Sequence, residues 1–191
     1  HRIRHWLNDN NKSGAKRNIS AHYDLGNAFY REWLDPSMTY SSALFAEGAN
    51  DLESAQKAKY RALLRDIGAK PGDHILEIGC GWGGFAEEAA LFGCKVTGLT
   101  ISREQFDFAT ARMKLAGLDH LVTIKFEDYR DERGIFDHIV SIEMFEAVGE
   151  RFGDPELDAP DPHARLGLLF RRAADQRRIR ILVFEVLADR D

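Results

Sequence analysis

The stretch Ile75-Leu76-Glu77-Ile78-Gly79-Cys80-Gly81-Trp82-Gly83-Gly84-Phe85 decides how this chain is read. Ile75, Leu76 and Ile78 form the apolar run that a parallel strand buried on both faces requires. Gly79, Gly81, Gly83 and Gly84 follow at once, and Phe85 to Leu91 then has helical spacing. A strand, a glycine turn and a helix in that order bring bare backbone amides close to a ligand. Glycine allows the tight bend and removes the side chain that would hold the ligand off. The start of the helix adds unpaired N–H groups and a positive dipole end. A nucleotide-type site is expected here.

Gly79, Gly81 and Gly84 match the G-x-G-x-x-G of dinucleotide sites. That fingerprint needs an acid at the end of the next strand, about 20 residues on. The next strand, Lys95 to Ser102, ends without a carboxylate. Glu77 extends the motif to E-x-G-x-G-x-G, which resembles the spelling of S-adenosylmethionine-dependent methyltransferases rather than nicotinamide enzymes. A packed strand–helix turn with no ligand is the bland alternative.

The chain has 191 residues, enough for one domain with a proper core. Its 26 basic and 31 acidic residues give a net charge of −5, so no global electrostatic case for nucleic acid exists. Local basic patches remain able to meet a membrane surface. Cys80 and Cys94 make neither a disulfide framework nor a metal-ligand spacing, so no metal is expected, and a reducing cytoplasmic setting is the default. No apolar run approaches the about 18 residues that span a bilayer. The chain starts at His1 rather than Met and reads as a piece of something longer.

Residues 1–18 are polar and basic and read as a linker or the end of a missing N-terminal region. Residues 19–70 read as a helical cap. Within it Leu25, Phe29 and Trp33 have helical spacing and, with Tyr23, the pattern of core aromatics, until Asp35-Pro36-Ser37 stops the helix. Asn50 and Glu53 spell a capping box for a helix with Leu52, Ala55, Tyr60, Leu63, Leu64 and Ile67 on one face, closed by Gly68. Residues 71–152 read as a Rossmann-like core. A second strand covers 96–100. Ser102 and Gln105 cap a helix with Phe106, Ala109 and Met113 inward, ended by Gly117. Strands at 122–126 and 136–142 follow, and Glu143 begins another helix. Strand and helix alternate, which predicts a doubly wound parallel sheet of the α/β class. Residues 153–191 change character: a proline-rich acidic loop, then eight arginines and no lysine after residue 150, where the first 150 residues hold eight lysines. A helix at 164–174 and a strand at 179–187 remain legible there. Arg171, Arg172, Arg177 and Arg178 read as a solvated charge run.

Six stretches, in order and spacing, resemble the cyclopropane-fatty-acyl-phospholipid synthase family, which includes the mycolic acid cyclopropane synthases. They begin at His22-Tyr23-Asp24-Leu25-Gly26-Asn27 and Leu34-Asp35-Pro36-Ser37-Met38-Thr39-Tyr40-Ser41-Ser42-Ala43. Glu77 to Gly84, Gly98 to Gln105, Glu127 to Asp131 and Phe136 to Gly149 follow. The resemblance covers about residues 19–152. It implies a class I methyltransferase fold and methyl transfer from S-adenosylmethionine to a cis double bond of a phospholipid acyl chain, at the inner face of the cell membrane. It places Gly79, Cys80, Gly81, Trp82 and Gly83 around the cofactor's methionine portion, with Tyr40 and Ser41 closing over it. Thr100 and Gln105 stand at the ribose, and Asp128 or Tyr129 at the adenine. Bound bicarbonate is the implied proton acceptor, held by Ser42 and Glu146, with Tyr23 near the reacting chain. Ala147 stands where many relatives have His. Past Phe152 the family's Lys-Pro-Gly-Gly turn, fifth strand and later His and Tyr are not recognisable, so the C-terminal part is expected to be incomplete. A break in reading frame near 151–153 would account for that. A methyltransferase of another lipid or small molecule, or a non-catalytic cofactor-binding remnant, are the competing readings.

Overall fold

The computed structural model describes residues 26–45, 48–143 and 180–184. Tyr23, Glu146 and the helix expected at 164–174 lie outside these residues. A short helix α1 (Gly26–Arg31) and a longer α2 (Leu52–Asp66) precede β1 (His74–Ile78). Then come α3 (Gly84–Leu91), β2 (Lys95–Thr100), α4 (Arg103–Leu115), β3 (Val122–Phe126), β4 (His138–Ile142) and β5 (Arg180–Phe184). All pairings are parallel, in the order β3-β2-β1-β4-β5. The strand expected at 179–187 is therefore present as β5, with Ile139 level with Ile181.

β1 is central. It pairs with β2 on one side and β4 on the other, with Glu77 level with both Gly98 and Val140. The chain winds outward from β1 in both directions, so a crevice opens above the carboxyl ends of β1 and β4, where such sheets take ligands. β1, β2 and β4 are buried along almost their whole length, as inner strands of a parallel sheet must be, whereas β3 is only partly buried. Ile75, Val96, Val122 and Val140 share a core with Tyr60, Leu63 and Ile67 of α2, Phe85 and Ala89 of α3 and Met113 of α4. Leu76, Ile78, Leu99 and Ile139 are equally buried.

Four local expectations are corrected. The N-cap of α2 is Asp51 rather than Asn50: Ser54 N donates to Asp51 Oδ1 at 2.7 Å, and Asp51 N donates to Ser54 Oγ at 3.2 Å. A carboxylate there also meets the positive end of the helix, which an amide cannot match. Leu52 faces the crevice and is 40% exposed, because it sits a turn too early on α2 to reach the sheet. In the cap, Tyr30 is the buried aromatic of α1, while Phe29 and Trp33 expose nearly half their surface. Tyr30 lies 5.0 Å from the Trp82 ring, so contact with the glycine turn, not helical period, chose the inward residue. On α4, Ala109 and Met113 are inward as expected, but Phe106 is only half-buried and rests against Phe126.

Gly98 is the one position within the sheet where a side chain has no room. A Cβ there would lie 3.0 Å from Cys80 Cβ and from Ile124 Cδ1. Gly98→Ala should therefore destabilise the domain by about 1–3 kcal/mol despite the better strand propensity of alanine. Urea unfolding followed by circular dichroism measures this.

Candidate active site

A cleft of about 770 Å³ lies over the carboxyl ends of the central strands. One wall is the glycine turn. Gly79 N and Cys80 N both donate to Leu99 O, at 3.0 and 2.9 Å, and bind the end of β1 to the end of β2. The bend that follows passes through φ of 77°, 52° and 85° at Gly79, Gly81 and Gly83, a region that L side chains seldom enter. Gly81 lines the cleft with open space beside it, since a Cβ there would meet nothing within 4 Å. Gly83 is the N-cap of α3 and offers no side-chain cap, so the first amides of that helix are left for other acceptors. Cys80 is buried and its thiol is pushed well up by burial, which makes it a packing group. Trp82 is 3% exposed and donates from Nε1 to Asn27 Oδ1 at 2.6 Å, so it ties the turn to α1 while still lining the cleft.

At the β2 side, Thr100 Oγ1 donates to Gln105 Oε1 at 2.9 Å, and Gln105 N donates to Ser102 Oγ at 3.3 Å. The expected reciprocal capping box is half made: Ser102 caps, but the Gln105 side chain serves Thr100. That bond fixes the amide's oxygen and leaves its NH2 as the end able to face a ligand hydroxyl. Asp128 and Tyr129 line the same end. Asp128 is engaged by Arg130, whose backbone N and Nε donate to Oδ1 at 3.0 and 2.8 Å.

The opposite wall comes from the cap. Tyr40, Ser41 and Ser42 all line the cleft. α2 holds them there: Gln56 Nε2 donates to Ser41 O at 2.6 Å, and Lys59 Nζ donates to Ser42 O at 2.7 Å and to Ser41 Oγ. Lys59 is 1% exposed, and burial pushes its ammonium down to about 8. Ser42 N donates to Glu143 Oε1 and Oε2, at 3.0 and 3.2 Å, and the Ser42 hydroxyl donates to Oε1. Both Ser42 donors are engaged by Glu143, so a bicarbonate held through them would have to displace that carboxylate. Towards the mouth the wall is apolar, with Trp33, Phe45 and Leu52.

Sequence reasoning singled out the turn, Thr100 with Gln105, and the serines, and all of these but Gly83 line this cleft. It did not single out Glu77, Lys59 or Glu143 as site groups. Glu77 was visible as the first letter of the motif, whereas nothing local marks one lysine of an amphipathic helix as buried. Glu77 lies 3% exposed beneath the turn, and its Oε2 accepts no hydrogen bond. Burial raises its carboxyl to about 8, against the pull of Arg112 and Lys59. A buried acid with an unused oxygen at the cleft floor suits a positively charged ligand group. S-adenosylmethionine, with its sulfonium and amino group, fits this donor set: Glu77 and the turn for its charged end, Gln105 for hydroxyls.

Folding keeps a proton on Glu77 that the unfolded chain releases near its ordinary value of 4.5. Stability should thus fall as pH rises from about 4.5 towards 8 and then level off. Glu77→Gln should remove on the order of 3 kcal/mol of that loss between pH 5 and 8. Urea unfolding of both proteins at the two pH values checks it.

A model of the mycolic acid cyclopropane synthetase family matches residues 10–154. The chain is 47% identical over 134 residues to the Probable fatty acid methyltransferase of Pseudomonas putida, covering 69% of this chain and 34% of that protein. It is 48% identical over 131 residues to the cyclopropane-fatty-acyl-phospholipid synthase of Escherichia coli strain K12, covering 68% and 33%. It spans about a third of the length of both. Among solved structures it resembles mycolic acid cyclopropane synthase CmaA1 complexed with SAH and CTAB, with a TM-score of 0.70 and 30% identity over 88% of this chain and 55% of that one. A family match over three quarters of the chain, on a sheet with the glycine turn at its switch point, settles the grouping: the chain belongs to the mycolic acid cyclopropane synthetase family.

Proposed function

We propose that this chain is an S-adenosylmethionine-dependent methyltransferase that adds a methylene across a cis double bond of phospholipid acyl chains. The observation that carries this reading is that one cleft joins the glycine turn to an apolar, aromatic wall. A polar cofactor and a hydrocarbon chain need those two surfaces side by side. When bound, the cofactor supplies an activated methyl group on a positively charged sulfur.

The protein's part is to hold an alkene, a weak nucleophile, in line and dry against that methyl group. Gly79 to Gly83 would cradle the methionine end, with Tyr40 and Ser41 over it. Thr100 and Gln105 would hold the ribose, and Asp128 or Tyr129 the adenine. Methyl transfer leaves positive charge on the lipid. Aromatic rings in the wall, Trp33 and Tyr40, are the groups able to stabilise it. Tyr23 and Glu146 enter this reading through the family resemblance alone, while the place that the resemblance gives bicarbonate, on Ser42, is taken by Glu143. Trp33, Tyr40 and Phe45, 48%, 42% and 65% exposed, form a cleft mouth suited to a membrane surface. Among the described residues no helix is long and apolar enough to cross a membrane.

The Pseudomonas relative's name favours a second reading, methyl transfer to a fatty acid in another lipid or in free form. Incubation with methyl-labelled cofactor and vesicles of cis-unsaturated phospholipid should place label in the acyl chains as a cyclopropane. Saturated vesicles should stay unlabelled. Label in free fatty acid only would favour the second reading. Cofactor binding by calorimetry without any transfer would leave only a binding remnant.

A further inference from the structure

We propose that Glu143 is a proton acceptor built into this site, its carboxylate seated on the Ser42 N–H and hydroxyl and positioned to take the proton that leaves the substrate after methyl transfer. The inference rests on the methyltransferase reading above.

Three observations support it. The first is the seat. Ser42 presents a backbone N–H and a hydroxyl in one direction, and the Glu143 carboxylate accepts from both across 101 residues of sequence. Two donors on one carboxylate fix its direction. Behind the seat, Lys59 holds the same serine by its carbonyl, and its attraction to Glu143 is the leading charge effect opposing the burial of Lys59. The second is backbone conformation. Glu143 has φ of 47°, and Met38 is the only other non-glycine in that region among the described residues. Such a conformation persists where surrounding bonds enforce it, and it gathers at functional positions. Here it turns a residue at the carboxyl end of β4 into the cleft.

The third is elimination among the described carboxylates that line the cleft. Glu77 is fully buried and retains its proton near neutrality, so it is a poor acceptor. Asp128 is engaged by Arg130, and its neighbour Glu127 follows β3 at the far edge of the cleft. Glu143 stands instead beside the cap serines, next to the glycine turn's own strand pair. The chemistry requires an acceptor. The alkene electron pair forms a bond to the methyl carbon as the bond from sulfur to that carbon breaks, its electrons staying on sulfur. A carbocation remains on the chain. A C–H bond of the new methyl group then breaks, its electron pair closes the ring, and the proton forms an O–H bond on Glu143. Release of that proton to water restores the carboxylate.

Glu143→Gln keeps size and shape and removes the basic oxygen. Calorimetry should show its S-adenosylmethionine affinity within about threefold of the parent, while label transfer to unsaturated phospholipid vesicles falls about 100-fold or more. Glu143→Ala should open the seat to a small carboxylate. Millimolar sodium formate should then give binding heat and a higher Tm for Glu143→Ala and not for the parent, and should restore part of the transfer. Transfer by Glu143→Gln within about threefold of the parent overturns the proposal, as does a formate response shared by Glu143→Ala and the parent. A parent chain that moves no methyl group overturns the functional reading and this role together. An active Glu143→Gln overturns the role alone.

Discussion

Two backbone amides on one carbonyl hold this structure in its working shape. Gly79 N and Cys80 N share Leu99 O, so the chain leaving β1 is bound to the end of β2 before it can turn into α3. Only positive φ angles carry it from that anchor to the helix start, and Gly79, Gly81 and Gly83 supply them. The other glycines of the region serve a separate need. Gly98 is bare because the Cys80 side chain descends on it, and Gly84 because Tyr60 Oη and Thr39 Oγ1 would meet a Cβ at 3.0 and 3.1 Å. Some glycines thus exist for torsion and others for space, and the two sets interlock around Cys80.

The same crowding brings the cap onto the site. Tyr60 Oη donates to Thr39 Oγ1 at 3.0 Å, and Arg112 Nη1 donates to Ser37 O at 2.7 Å, which fixes the loop from Ser37 to Ser42 over the turn. Buried polar groups are acceptable there because they bond to one another. The cleft also sorts its carboxylates by environment. Glu77 is neutralised by burial, Asp128 is matched by arginine, and Glu143 is held as an acceptor by serine. Acids in one cavity acquire different tasks when their surroundings and partners differ.

Legibility in the sequence followed the range of the interaction. β1, β2, β3 and β4, the glycine turn and the Ser102 cap are each written within a few adjacent residues, and each is found where its text placed it. The helix faces were read less well. Tyr30 displaced Phe29 and Trp33 from the interior because its partner is Trp82, 52 positions on, and Leu52 turned to the cleft instead of the core. Gln105 and Thr100 were recognised as a pair, but the direction of their hydrogen bond needed the fold.

By itself the sequence determined the alternation that makes a parallel sheet, the bend that suits a nucleoside and the family to which the chain belongs. Those are local patterns, governed by torsion and by hydrophobic period. Tertiary structure alone decided that Lys59 is buried, that Glu77 keeps a proton and that Glu143 closes on Ser42. Each depends on dielectric surroundings and partners assembled from distant parts of the chain, and a charge's environment is set by what packs around it rather than by its neighbours in sequence.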